Sequence, residues 1–343
     1  MSLPKEKLAT PLAYLIALFM TFLIGACLIL IFIGKNPIAA YREFFAQSFF
    51  SSYGILEVMA KATPIIIAGS GMIIAFRCGL WNLGAEGQMA IGAILSTAIG
   101  VNLNLPGIIL IPLIFVASFI GGALWSGLSG YLKNRFGVHE MLSTLMMNYI
   151  ALKFMEYLIN GPMSMPRANY PRTSEILPQA QLAFIGYPLN VTFIIALLII
   201  PIVWFLINRT TLGYRLQAVG LEREAARLSG MEISKLTIIV MLLSGGISAL
   251  GGTAEIVGDF FRMERNVTGG YGFTAIVVVM LAREDIIALP FAAFLVSGMI
   301  VGATALTLAG IPATFAQVVI GLMLLCVVSA NYIERKLKEI WEV

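Results

Sequence analysis

Few side chains in this sequence have types suited to covalent or metal chemistry. His139 stands alone, with no second histidine to share a metal. Cys27, Cys78 and Cys326 lie far apart, are odd in number and show no CxxC spacing, so neither a disulfide framework nor a zinc site is indicated. No HExxH, GxSxG or SxxK with supporting partners occurs. No GxxxxGK[ST] occurs either, and Gly34-Lys35 lacks both the upstream glycine and the following hydroxyl of a phosphate-cradling loop. What remains is a scatter of polar groups inside apolar runs: Glu57 with Lys61, then Asn82, Glu86 and Gln88, then Asn148, Lys153 with Glu156, and Glu255. A carboxylate at the centre of a bilayer costs ~2.5–3.5 kcal/mol on insertion scales, so each must face protein, water or an interface.

The surroundings of these groups imply a membrane. Of 343 residues, 59% are hydrophobic and 12% charged, with a mean hydropathy of +0.93. Soluble domains carry about 25% charged residues, so most of this chain's exterior must face lipid. The net charge of +4 sits in short gaps between apolar runs, and no basic domain exists to grip a nucleic acid. A hydrocarbon core of ~30 Å needs roughly 20 apolar helical residues. Ten spans are expected, at 11–34, 54–76, 86–103, 107–132, 141–159, 190–207, 236–258, 272–283, 288–309 and 312–332. The eighth is too short to cross as a regular helix. The first follows Lys5 and Lys7, and its length suits a retained span better than a signal peptide.

With the N-terminus inside, fourteen Lys and Arg residues fall in inner segments and six in outer ones. The positive-inside rule therefore places both termini in the cytoplasm. The expected fold is an all-α, polytopic transmembrane bundle forming a single domain over 1–343. Spans 2–5 and 7–10 would run in opposite senses, as an inverted-topology repeat requires.

Two connections are long. Residues 160–189 hold five prolines and are expected outside as an irregular cap. Residues 208–235 are expected inside and carry five basic and three acidic side chains. Their centre, LEREAARLSG, joins good helix formers to a glycine that suits a C-cap. Leu221, Ala225 and Leu228 share one face, with Glu222, Arg223 and Arg227 around the others. From the residues alone this is a short helix lying at the inner surface.

Residues 69–93, GSGMIIAFRCGLWNLGAEGQMAIGA, form a glycine-rich break between apolar runs. Glu86 either caps the next helix at a turn or lines a cavity. In HEMLSTLMMNYIALKFMEYLINGP, which begins at His139, Asn148 either faces a pathway or ties two helices together. Lys153 and Glu156 are expected to pair at i, i+3, and Glu57 and Lys61 at i, i+4. SGGISALGGTAEIVGD (244–259), GGYGFTAIVVVMLARED (269–285) and the GxxxG at Gly298 and Gly302 predict close helix packing.

AVGLEREAARLSGMEISK resembles the coupling segment of permeases of ABC importers for ribose-type sugars and nucleosides. The family's glycine, alanine pair and second glycine correspond to Gly220, Ala225, Ala226 and Gly230. WNLGAEGQM and HEMLSTLMMNY are similar to segments of its nucleoside-type members. The resemblance covers essentially the whole chain. It implies an ATPase-coupling helix built from Gly220, Leu221, Glu224, Ala225, Ala226, Leu228 and Gly230. It also suggests a translocation pathway touched by Asn82, Glu86, Gln88, Asn148 and Glu255. The partners implied are an ABC ATPase subunit, a second permease (identical or paralogous) and an extracellular substrate-binding protein. This chain would bind no cofactor, since ATP and magnesium belong to the ATPase. The expected product is a multi-pass cell-membrane permease that imports nucleosides or nucleobases, with simple sugars such as ribose as the alternative.

Two other classes compete. An ion-coupled secondary transporter would use Glu57, Glu86 or Glu255, and gives no reason for LEREAARLSG. A membrane-embedded enzyme would want a catalytic constellation that is missing.

Overall fold

The computed structural model describes residues 36–308 without a break, and residues 19–20, 23–27, 30–31, 34, 310–312, 318, 321–322 and 336 beside them. The expected spans 11–34 and 312–332 fall largely outside the described residues, as do Lys5, Lys7, Cys326, Arg335 and Lys338. The described chain is mostly helical. Its helices are α1 (Pro37–Phe49), α2 (Ser52–Phe76), α3 (Ala85–Asn102), α4 (Gly107–Phe136), α5 (Glu140–Asn160), α6 (Thr192–Arg209), α7 (Thr211–Leu221), α8 (Arg223–Leu228), α9 (Ile233–Glu255), α10 (Tyr271–Leu281) and α11 (Leu289–Leu308). A π-turn, Ile256–Phe260, continues α9.

Among the described residues five helices are long and apolar enough to cross a membrane: α2, α4, α6, α9 with its π-turn, and α11 as far as Thr307. The 30 residues of α4 rise about 45 Å, more than the hydrocarbon core needs. Its last turn carries Lys133 and Arg135, and Gly137 stops it with a left-handed φ of 69°. The fold is that of a polytopic helical membrane protein.

Two compact units make up the chain, residues 1–58 with 295–343, and residues 59–294. In the first, residues 36–53, between two of the expected spans, hold α1. Asn36 explains the start: its side chain accepts the Ile38 N–H at 2.9 Å, and Pro37 occupies the first helical turn. Phe44 and Ala40 of α1 are buried with Met299, Leu306 and Ile311. The predicted GxxxG site on α11 receives aromatic rings. A Cβ on Gly298 would come within 2.0 Å of the Phe49 ring, and one on Gly302 within 2.5 Å of Phe44.

The second unit is built around α3, which is buried on nearly every side. Glycine lets α3 and α9 touch backbone to backbone, since a Cβ on Gly252 would lie 1.9 Å from the Met89 carbonyl oxygen. Ser96 then bonds Thr253 of α9 at 3.0 Å and Ser118 of α4 at 3.1 Å, joining three helices through hydroxyls. The packing expected of SGGISALGGTAEIVGD is therefore present.

The 160–189 connection contains a 3-10 turn, Pro178–Ala180, and a two-stranded antiparallel hairpin, β1 (Phe184–Gly186) with β2 (Leu189–Asn190). It is laced to the stretch after α9. The N–H groups of Thr173, Ile176 and Leu182 donate to the carbonyls of Met263, Phe261 and Val257.

Candidate functional sites

The 208–235 segment forms two helices where one was expected. The chain breaks at Glu222, whose φ of −152° and ψ of 99° are extended, separating α7 from α8. The C-terminus of α8 closes as the glycine predicts. Gly230 takes φ of 82°, its N–H donates to the Arg227 carbonyl, and the Met231 N–H reaches the Ala226 carbonyl. The candidate coupling residues divide by direction. Leu221 and Leu228 are each 87% exposed, Glu224 and Ala225 are exposed, and Ala226 is turned inward at 4%. Gly220 serves an internal contact, since a Cβ there would lie 2.2 Å from the Arg77 carbonyl oxygen. The turn that follows α2 therefore packs directly on the end of α7.

Arg223 lines a cleft of about 330 Å³ with Lys133, Asn134, His139, Glu140 and Ser234. Lys133 binds Glu140, and the Asn134 amide donates to the Ser234 carbonyl at 2.6 Å. The end of α4 and the beginnings of α5, α8 and α9 thus share one polar joint. Burial pushes the Glu140 carboxyl upward, but the Lys133 ammonium outweighs it and holds the group below the usual carboxylate range. His139 is largely exposed and caps α5 by accepting the Met141 N–H.

Asn82, Glu86, Gln88 and Asn148 come together around the extended link 80–84 between α2 and α3. Gln88 donates to Asn82 Oδ1 at 2.9 Å, and Asn82 donates to Ser244 Oγ of α9 at 2.8 Å. Asn148 of α5 grips the link from both directions, accepting the Gly87 N–H and donating to the Leu83 carbonyl, each at 2.8 Å. Thr144 accepts the Leu83 N–H at 3.2 Å. Asn148 accordingly ties helices together.

Glu86 Oε2 accepts the Gly272 N–H of α10 at 2.8 Å, with Thr268, Gly270 and Phe273 close around this carboxyl. Its helix and α10 meet almost end on, because a Cβ on Gly272 would lie 2.3 Å from the Glu86 nitrogen. Two positive helix ends thus face one carboxylate. Glu86 caps a helix other than its own.

Glu255 lies apart from that link. It is buried beside Lys61 and Asp259, and Lys61 Nζ stands 4.0 Å from Asp259 Oδ2. The pair expected between Glu57 and Lys61 is corrected here, because the ammonium turns across the bundle to the carboxylate after α9 instead of one turn back along its own helix. Lys153 and Glu156 do pair, at 2.7 Å, and Arg265 joins them at 3.0 Å.

The family model described as the branched-chain amino acid transport system / permease component matches residues 54–328. The chain belongs to this family of transport permeases. The guanosine ABC transporter permease protein NupP of Bacillus subtilis is 32% identical to this permease, over 97% of this chain and 98% of its own. The nucleoside ABC transporter permease protein NupB of Lactococcus lactis subsp. cremoris is 30% identical, over 92% and 89%. A glucose ABC transporter permease protein of Haloferax volcanii is also 30% identical, over 89% and 84%. The permease is an integral, multi-pass membrane protein.

Sequence reasoning passed over Lys61, Asp259 and Tyr271 of this permease as a group. A usable signal was present: Glu255 and Asp259 are four apart, the spacing of one helix face. Opposed cations elsewhere in the apolar runs are few.

Proposed function

We propose that this chain is the membrane-spanning subunit of an ATP-driven importer of nucleosides or nucleobases. One geometric observation carries the coupling half of this reading. Leu221, the last residue of α7, and Leu228, the last of the short helix α8, are both 87% exposed amid a strongly charged segment. Apolar side chains held out in this way suit insertion into a partner's groove. An ABC ATPase subunit, carrying its own ATP and magnesium, is the partner proposed. Glu224 and Ala225 share the outward face, while Gly220, Ala226 and Gly230 shape the helix that presents it.

Movement of α8 would pass through Arg223 and the Lys133–Glu140 joint to α4, α5 and α9, and through Gly220 to the turn after α2. Similarity along nearly the whole chain to the guanosine and nucleoside permeases supports the substrate class. The glucose permease favours a second reading, a simple sugar. An extracellular binding protein and a second permease, identical or paralogous, complete the proposed assembly. Ten spans in one domain, with both termini inside and an inverted repeat of spans 2–5 and 7–10, are part of the same proposal. The two helix ends that meet at Glu86 belong to spans 3 and 8, which such a repeat would relate. Among the pathway candidates, Asn82, Gln88 and Asn148 spend their hydrogen bonds on one another and on backbone, Glu86 serves α10, and Glu255 has capacity left.

The test is ATP-driven uptake of labelled inosine and ribose in vesicles carrying the complete complex. Leu228→Glu is expected to abolish uptake and weaken ATPase co-purification while the permease remains inserted. Uptake that ignores both the ATPase and this substitution would refute the importer reading.

A further inference from the structure

Four polar side chains meet where α9 ends. Lys61 comes from α2, Glu255 is the last residue of α9, Asp259 lies in the π-turn and Tyr271 opens α10. The Lys61 ammonium stands 5.8 Å from the centre of the Tyr271 ring, within cation–π range. Its 4.0 Å separation from Asp259 Oδ2 is close enough to attract and too long for a direct hydrogen bond. Lys61 therefore keeps donors to spare, and Asp259 keeps acceptors.

Glu255 is 5% exposed, and its Oε2 has no hydrogen-bond partner among the described residues. Buried polar atoms are almost always partnered, and an exception calls for a reason. The group is not sealed, because the Lys61 and Asp259 side chains are 28% and 37% exposed. The helix also changes type here: the π-turn begins directly after Glu255 and ends at Phe261, which takes a left-handed φ of 55°. Such turns inside helices concentrate at functional sites.

We propose that Lys61, Glu255, Asp259 and Tyr271 form a binding subsite for a neutral ligand with vicinal hydroxyls, either the ribosyl part of a nucleoside or a free sugar. A vicinal diol supplies two O–H donors and two acceptor oxygens side by side. The Asp259 carboxylate and the unpartnered Glu255 Oε2 offer acceptors to the former, and the Lys61 ammonium donates to the latter. The buried Tyr271 ring backs the Lys61 ammonium and helps hold it in place. The subsite rests on the importer reading and specifies where that importer touches its cargo.

The test uses the complete transporter in vesicles and compares uptake of labelled inosine, 2′-deoxyinosine and ribose. Each variant is scored as its ratio to wild type for each substrate separately, which divides out discrimination by the other subunits. Lys61→Met and the near-isosteric Asp259→Asn are expected to lower inosine uptake roughly tenfold more than 2′-deoxyinosine uptake. Lys61→Arg should recover part of the loss, with ATPase co-purification retained throughout. A matching loss for ribose identifies the free sugar as cargo, and a loss confined to inosine identifies the nucleoside. Equal ratios for all three substrates, or unchanged uptake, overturn the subsite and leave the importer reading intact. Wild-type vesicles that take up none of the three overturn that reading and the subsite with it.

Discussion

The carboxylate of Glu86, in the first turn of α3, accepts the backbone N–H of Gly272 at the start of α10 across 2.8 Å. The two helices begin at the same place, and each brings about half a positive charge there from its unpaired amides. Left alone these ends would repel. The buried carboxylate between them supplies the opposing charge and fills the open Gly272 amide of α10. Glu86→Ala should therefore cost about 1–3 kcal/mol, since it orphans the buried Gly272 N–H. The expected readout is a lower Tm of the purified complex, with Glu86→Gln intermediate because its amide oxygen still accepts. A Tm unchanged in both variants would remove Glu86 from this role.

Gly220 makes a second prediction. A methyl group at this position would sit 2.2 Å from the Arg77 carbonyl oxygen, a backbone atom with little freedom to retreat. Gly220→Ala should force α7 away from the turn after α2, at a cost of about 1–3 kcal/mol. If that contact carries motion from the ATPase, ATP hydrolysis should persist in the variant complex while uptake falls. A variant with normal uptake would show that the contact is dispensable.

The sequence and the structure agree where a single segment decides the outcome. Each of the eight expected spans between 54 and 309 corresponds to a helix within a few residues, because an apolar run of that length has few other ways to satisfy its backbone in lipid. The shortness of α10 was legible for the same reason, and so was the Gly230 C-cap, which depends on four consecutive residues. The cap of α1 was equally local, but Asn36-Pro37 sits beside Lys35 in a stretch read only for its charges. The polar sites were legible as residues and not as partnerships. Asn82 finds Ser244 at a distance of 162 residues and Glu86 finds Gly272 at 186, so no spacing rule reaches them. The Glu57–Lys61 expectation failed in the same way, since a helical spacing rule cannot see Asp259.

The division of the coupling helix into outward and inward residues gives a third prediction. Leu228 and Ala225 face away from the permease, and Ala226, one position later, is 4% exposed. Leu228→Glu and Ala225→Glu should weaken ATPase co-purification by about tenfold or more, ~1.4 kcal/mol, and leave the Tm of the isolated permease unchanged. Ala226→Glu should lower that Tm, because it drives a carboxylate into packed structure. The same loss of uptake would then arise from two causes that a melting curve separates. If Ala226→Glu left the Tm untouched, the inward assignment would be wrong.

A fourth prediction concerns pH at the polar joint beside α8. Glu140 is almost fully buried and pairs with Lys133, and the ammonium holds its carboxyl below the ordinary value despite burial. A carboxyl depressed by folding contributes stability that is fully present above its unfolded pKa of about 4.3, and this is lost as pH falls through the lower folded value. Wild type should therefore melt above Glu140→Gln at pH 7, and the gap should close as the pH is taken below about 4. Lys133→Met should show a larger deficit than Glu140→Gln at pH 7, because it leaves a buried carboxylate without its cation. A gap independent of pH would assign the stabilisation to packing around Glu140 and not to its charge.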